Sequence, residues 1–246
     1  MHLLLFSVFA SLSTCHYVAE KDENQDHCHL MRQWTESSSV SVELRKNGFH
    51  RELVTTVDLR PGAISSVKVL LVHRWPRSVY IDPFQIASLS EQLKLQILLD
   101  SAIDLEVPAH KTSGFVTYVY PSYDATPPTL LKVTVPIHGR YHEPSFVGEA
   151  FTSVDIEAPE LLLRADKCTE VKSIIPHAVV DAPCTFDNSS NCQWVQIQRK
   201  QEIGPMSLPI PVGDGSLEAP VCGITLLVTM ICCMALSKHM WKHRII

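Results

Sequence analysis

Ser39-Val40-Ser41-Val42-Glu43-Leu44-Arg45-Lys46-Asn47-Gly48-Phe49-His50-Arg51-Glu52-Leu53-Val54-Thr55-Thr56-Val57-Asp58-Leu59 decides the fold. Val40, Val42 and Leu44 alternate with polar residues, the period of a strand with one buried face, and Leu53 to Leu59 returns with β-branched residues. Asn47-Gly48 between them is a dipeptide that suits a two-residue turn, so the segment reads as a hairpin. Further along, Val67 to Val72, Phe115 to Tyr120, Leu130 to Ile137, Glu160 to Leu163 and Trp194 to Ile197 read as short strands, broken by Pro121 and Pro127-Pro128. The one helical candidate is Pro83 to Leu99, with Asp82 as its cap and Ile86, Leu89, Leu93 and Ile97 at spacings of three and four; the alternative is a single turn of helix followed by a strand. The pattern predicts a mainly β chain with a β-sandwich or jelly-roll-like domain rather than a Rossmann unit. Ile103 to Pro108 echoes Val154 to Pro159, and both read as strand exits.

The two ends bracket that domain. Ala219 to Leu236 is an uncharged run of 18 residues, followed by Lys238, His239, Lys242, His243 and Arg244. At about 1.5 Å per residue it makes roughly 27 Å of helix, enough to cross a hydrocarbon core. The basic flank predicts a cytoplasmic tail, while Asp214 and Glu218 lie on the other side. Leu3 to Leu12 is too short to span and reads as a signal peptide. The expected organisation is a signal over residues 1–15, a lumenal β-rich domain over 16–218, a transmembrane helix over 219–237 and a cytoplasmic tail over 238–246, a single-pass type I membrane protein.

The formal charge of −5 includes no basic block outside the tail, which argues against nucleic acid as a partner. Of eight cysteines, Cys28, Cys168, Cys184 and Cys192 fall in the expected lumenal domain. Four cysteines in an oxidising compartment admit three pairings; the short polar loop between Cys184 and Cys192 suits a local bridge, which leaves Cys28 with Cys168. Asn188-Ser189-Ser190 on that loop is a glycosylation sequon.

Four ordered blocks carry a resemblance: Lys46-Asn47-Gly48-Phe49-His50-Arg51-Glu52-Leu53; Val79-Tyr80-Ile81-Asp82-Pro83-Phe84 with Ala87-Ser88-Leu89; Val135-Pro136-Ile137-His138-Gly139-Arg140-Tyr141-His142-Glu143-Pro144; and Ala182-Pro183-Cys184 through Cys192-Gln193-Trp194. Together they resemble the PIG-X family, from about Cys28 through the apolar run. The resemblance implies an accessory subunit of glycosylphosphatidylinositol (GPI) mannosyltransferase I in the endoplasmic reticulum membrane. It further implies that the chain binds and stabilises a multi-span catalytic subunit, PIG-M, which adds the first mannose of the GPI anchor. An adhesion or receptor-like ectodomain at the cell surface shares the same topology, and a lumenal hydrolase is a third reading.

The residues themselves point away from chemistry. His138 and His142 are four apart beside Glu143, but near Pro136 they sit in a strand context, unlike the helical His-Glu-x-x-His face of a zinc site. There is no Gly-x-Ser-x-Gly elbow or phosphate-cradling loop, and Asp82, Asp100 and Asp104 have the look of turn caps. No catalytic residue, metal, cofactor or small-molecule substrate is therefore expected. The candidate partner contacts are Phe49, His50 and Arg51 after the hairpin turn, and His138, Arg140, Tyr141 and His142, because Arg and aromatic residues favour protein interfaces. Tyr80, Asp82 and Pro83 are expected to fix a strand exit. In the apolar run, Cys222, Thr225, Thr229 and Cys232 form a small-residue stripe, which makes Thr225 and Thr229 candidate helix-packing contacts.

Overall fold

The computed structural model describes residues 28–29, 31–60, 67–93, 95–123, 129–166, 168, 178–187, 190–198 and 204–243. The expected signal peptide, Asn188 and the last three residues lie outside them.

Strands β1 (Ser39–Arg45) and β2 (His50–Asp58) form the expected antiparallel hairpin, paired from Ser39 with Asp58 to Arg45 with Glu52. Its turn is wider than the two residues Asn47-Gly48 suggested. Lys46 and Gly48 both take positive φ, and the Arg51 guanidinium donates to the Gly48 and Lys46 carbonyls. His50 and Arg51 meanwhile pair with β7 (Leu130–Gly139), so the connection opens on the β1 side while β2 is already in the sheet. β7 also takes β4 (Val79–Tyr80), giving a four-stranded sheet in the order β1-β2-β7-β4. β4 reaches only His138 and Gly139, which leaves the outer edge of β7 open at Pro136, where a strand proline is tolerated.

The second sheet has six strands in the order β10-β11-β9-β3-β6-β5: β3 (Val67–Trp75), β5 (Leu95–Leu99), β6 (Phe115–Pro121), β9 (Glu160–Ala165), β10 (Val179–Pro183) and β11 (Asn191–Gln196). Leu53, Val57, Val133, Val135 and Ile137 of the first sheet share one buried core with Val69, Leu71, Val119, Leu161 and Leu163 of the second. The molecule is therefore mainly β, with sheets packed face to face; β1, β6 and most of β7 show the period of two that marks one inward face, whereas β3 and β9 are buried on both faces. The six-stranded sheet also buries its outer face, where Trp194 covers Leu70, Val72 and Leu162 and donates from Nε1 to Ala182 O. A third, two-stranded sheet pairs β8 (Phe151–Ile156) with β12 (Met206–Pro211) and adds Val154, Ile156, Leu208 and Ile210 to the main core.

Helices close the margins. Residues 31–37 form α1, which buries Met31 and Trp34, one turn apart, in the main core. α2 (Pro83–Leu93) begins at Asp82, whose Oδ1 accepts the Phe84 and Gln85 N–H groups. The segment then turns into β5, so the single helix to Leu99 is replaced by helix followed by strand, with a helix of 11 residues rather than one turn. Of the two echoing segments, only Val154 to Pro159 leaves a strand; Ile103 to Pro108 is irregular and is held by Asp104, which accepts the Glu106 N–H. Cys28 is bonded to Cys168 and Cys184 to Cys192. The first bridge ties the helical residue Cys28 at the start of the described chain to the segment after β9.

α3 (Glu218–Lys242) leaves the sandwich after a 3-10 turn over Gly215–Leu217 that Asp214 caps. No residue of α3 is buried, and among the described residues it is the one helix long and apolar enough to cross a membrane. A fully exposed apolar helix of about 37 Å has no stable place in water, which fits a single-pass membrane protein.

Candidate functional site

Three of the four sequence blocks converge on one corner of the four-stranded sheet. Antiparallel pairing sets His50 opposite His138 and Tyr80 opposite His138 from the other side, so β2, β7 and β4 stack three rings in a row. The His50 ring meets His138 edge-on at 4.5 Å, and Tyr80 stacks on His138 at 5.0 Å. His138 is buried, and its Nε2 donates to Gln85 Oε1 at 2.8 Å. The Asp82 cap thus has a second consequence, since it sets the helix turn that carries Gln85 to the ring.

Arg140 follows the same strand but does not face outward. Only 4% exposed, it donates to Val107 O at 2.6 Å and lies over the Tyr80 ring at 4.9 Å. The expectation of a partner-facing Arg140 is corrected: a carbonyl and a π-face take up the guanidinium inside the fold, while its Nε is buried without a hydrogen-bond partner among the described residues. Beside it Gly139 N–H donates to Phe49 O at 2.8 Å, and a Cβ on Gly139 would come within 3.2 Å of the Phe49 and Ile210 side chains. That close approach seats the half-buried Phe49 ring against Tyr141 at 4.9 Å, with Tyr141 itself 72% exposed. His50, Tyr141 and Phe84 are exposed along this corner. Arg51 is turned back into the hairpin turn. An apolar groove of about 610 Å³ continues the surface between α2 and β5, lined by Ile81, Pro83, Ile86, Leu95, Ile97 and Phe186.

The electrostatics follow burial. Desolvation holds His138 below the ordinary imidazole range, His50 adds to the effect and Asp82 opposes it. Burial likewise lowers Arg140 and raises the Tyr80 phenol, which Arg140 pulls back. His142 stands apart from His138, in a cleft with Arg77, His110 and Glu143, and burial followed by the Arg77 and His110 charges holds it low. The two histidines therefore belong to different neighbourhoods. Among the described residues no group of three or more His, Cys, Asp or Glu could hold a metal ion. Asp82, Asp100 and Asp104 each serve a local turn, accepting from Phe84, Ser101 and Glu106 respectively.

On α3 the Thr225 hydroxyl donates to Val221 O and Thr229 to Leu226 O. Both hydroxyls are satisfied within the helix, so the Thr225–Thr229 stripe presents small, closed surfaces suited to close helix approach rather than donors seeking a partner. Tyr80 and Gln85 matter more to the corner than sequence reasoning suggested. The Val79-Tyr80-Ile81-Asp82-Pro83 block marked the position, but only the β4–β7 register shows that Tyr80 faces His138.

A β-sandwich with an exposed aromatic corner, carried on one membrane-length helix, defines a membrane-tethered β-domain protein. The family model described as PIG-X / PBN1 matches residues 46–241, covering sandwich and helix together, and the chain belongs to that family. It is 29% identical over 205 residues to the human "GPI alpha-1,4-mannosyltransferase I, stabilizing subunit", covering 82% of this chain and 79% of the relative. Proteins of the same description from Rattus norvegicus and Mus musculus are 26% and 27% identical, covering 82% of this chain and 81% and 80% of theirs. Among solved structures, a cohesin module of a Clostridium perfringens family 33 glycoside hydrolase overlays 72% of this chain and 97% of its own, with a TM-score of 0.31 and 6% identity. So loose a likeness carries no argument.

Proposed function

We propose that this chain is the noncatalytic stabilising subunit of GPI mannosyltransferase I, and that it binds a catalytic subunit of the PIG-M kind. The observation that carries the reading is a family match spanning both the sandwich and α3, with mammalian relatives named as the stabilizing subunit. The protein resides in the endoplasmic reticulum membrane, with residues 16–218 lumenal, residues 219–237 spanning and residues 238–246 cytoplasmic. His50, Tyr141 and Phe49 at the corner, and Thr225 and Thr229 in the span, are the contacts it offers to the catalytic subunit. A partner that binds the folded form alone shifts the folding equilibrium by mass action, by about 2.7 kcal/mol at a hundred times Kd. The catalytic subunit is then less often unfolded and removed, and no group of this chain needs to touch substrate.

The test is genetic and quantitative. Deleting the protein should lower the steady-state level of the catalytic mannosyltransferase and, with it, GPI-anchored proteins at the cell surface, and re-expression should restore both. A normal level of catalytic subunit in the deletion would refute the stabilising role. Orientation is checked separately: Asn188→Gln should remove an endoglycosidase H-sensitive glycan, and a C-terminal tag should be open to protease in sealed microsomes. A protected tag would overturn the assigned topology.

A further inference from the structure

We propose that the loop of residues 145–151 is a second membrane contact, in which Phe146 and Val147 enter the phospholipid headgroup layer beside the start of α3. Phe146, Val147 and Phe151 are 72%, 83% and 62% exposed, three large apolar side chains within seven residues. Exposed apolar residues scattered singly need no explanation, but a contiguous set does.

The place of this loop is fixed by the chain that leads into α3. Val212 N–H donates to Ala150 O at 2.9 Å, Ser145 N–H to Gly213 O at 2.8 Å, and Gly215 N–H to Ser145 O at 2.9 Å. Ser145 and Asp214 form a parallel bridge, and Phe151 pairs with Pro211 at the lower end of the β8–β12 ladder. The Phe146 ring covers Gly215 so closely that a Cβ there would lie 2.6 Å from its Cε1. Gly215 precedes Ala219 by only about 6 Å of helical rise. The headgroup layer is itself roughly 5–8 Å deep on each side. This inference rests on α3 spanning the membrane, and once it does, Phe146 lies at headgroup height however the sandwich leans.

Two backbone donors at the tip of the loop are already satisfied within it. Its Val147 and Glu149 N–H groups both donate inward to Ser145 Oγ, and Gly148 turns the tip at φ +80°. Backbone donors already satisfied are those that a lipid interface tolerates. Behind the tip is a cleft of about 310 Å³ lined by Arg77, His110, His142, Glu143 and Glu149. Its mixture of cations and carboxylates suits a zwitterionic headgroup layer. Aromatic and apolar tips beside charged groups are the usual composition of an interfacial anchor. The occupant is therefore the lipid surface, since the patch is continuous with the stem of the span.

The test places a fluorescent amino acid at one position at a time in the full chain, reconstituted without other proteins in phosphatidylcholine nanodiscs carrying nitroxide lipids. Leu227 reports the span, Leu217 the headgroup level, Val147 the loop, and Glu157 the far end of β8, about 20 Å along the strand from Phe151. Leu227 should be quenched by a mid-chain nitroxide and Val147 by a headgroup nitroxide to within about twofold of Leu217, with Glu157 unaffected. A Val147 signal as unquenched as Glu157, with Leu227 quenched, would overturn the proposal and assign the patch to a protein partner. An unquenched Leu227 would remove the membrane reading and this proposal with it.

Discussion

His73 lies in the middle of β3, stacked almost parallel on Trp75 at 5.0 Å, and among the described residues neither ring nitrogen has a hydrogen-bond partner. Burial alone drives its pKa down to about 3. In the unfolded chain the ring takes a proton near pH 6.5, whereas in the fold it stays neutral, so below 6.5 the unfolded state binds more protons. Its contribution to stability is complete above pH 6.5 and is lost as pH falls towards 3, at up to about 1.4 kcal/mol per pH unit. His73→Phe keeps a ring on Trp75 and removes the proton, so thermal unfolding of the full chain in detergent should show a flatter decline between pH 6.5 and 5. His138 and His142 are also held low and leave some slope in place. A slope unchanged in the variant would show that His73 does not titrate on unfolding. Arg140 marks the limit of residue-level reading. Arginine is rarely buried, and its partners Val107 and Tyr80 are 33 and 60 positions away, so nothing local announced that its guanidinium is held inside.

Among the elements, strands with one inward face were legible from their alternation, and β1, β2, β6 and β7 lie where the pattern set them. Those that escaped have little pattern of their own. β4 is two residues long, and β12 carries Pro209 and Pro211, which read as breakers and are tolerated because a two-stranded sheet leaves β12 an open edge. The hairpin was legible but its turn was not, because the wider opening depends on Arg51 reaching back and on β7 capturing His50. The two disulfides differ in what they constrain. Cys28–Cys168 closes a separation of 140 residues and Cys184–Cys192 one of 8. Loop-closure entropy assigns them on the order of 5 and 2.5 kcal/mol. Cys28→Ser with Cys168→Ser should therefore lower the unfolding midpoint about twice as much as the Cys184, Cys192 pair of serines, measured under non-reducing conditions. Equal losses would mean that the long bridge does little to restrict the unfolded chain.

At the scale of the whole molecule, residues that are neighbours in one sequence block part company in space. His138 and His142 looked like a pair along one strand, whereas the sheet ends at Gly139, so His138 turns into the ring stack with Tyr80 and His50 while His142 falls into the cleft with Arg77 and His110. That separation decides what their joint loss should do. Two histidines that ligate one metal or share one proton transfer act as a unit, and removing them costs at least about a hundredfold in activity. Histidines that pack two distinct neighbourhoods weaken the fold, and through it the hold on a partner. His138→Ala with His142→Ala should therefore lower mannosyltransferase activity in membranes only in proportion to the catalytic subunit remaining, and activity divided by catalytic-subunit abundance should stay nearly constant. The ratio separates the two cases even if the variant is poorly folded, because a failing stabiliser reduces numerator and denominator together. A collapse of the ratio at undiminished abundance would place these side chains in the chemistry and refute the noncatalytic reading.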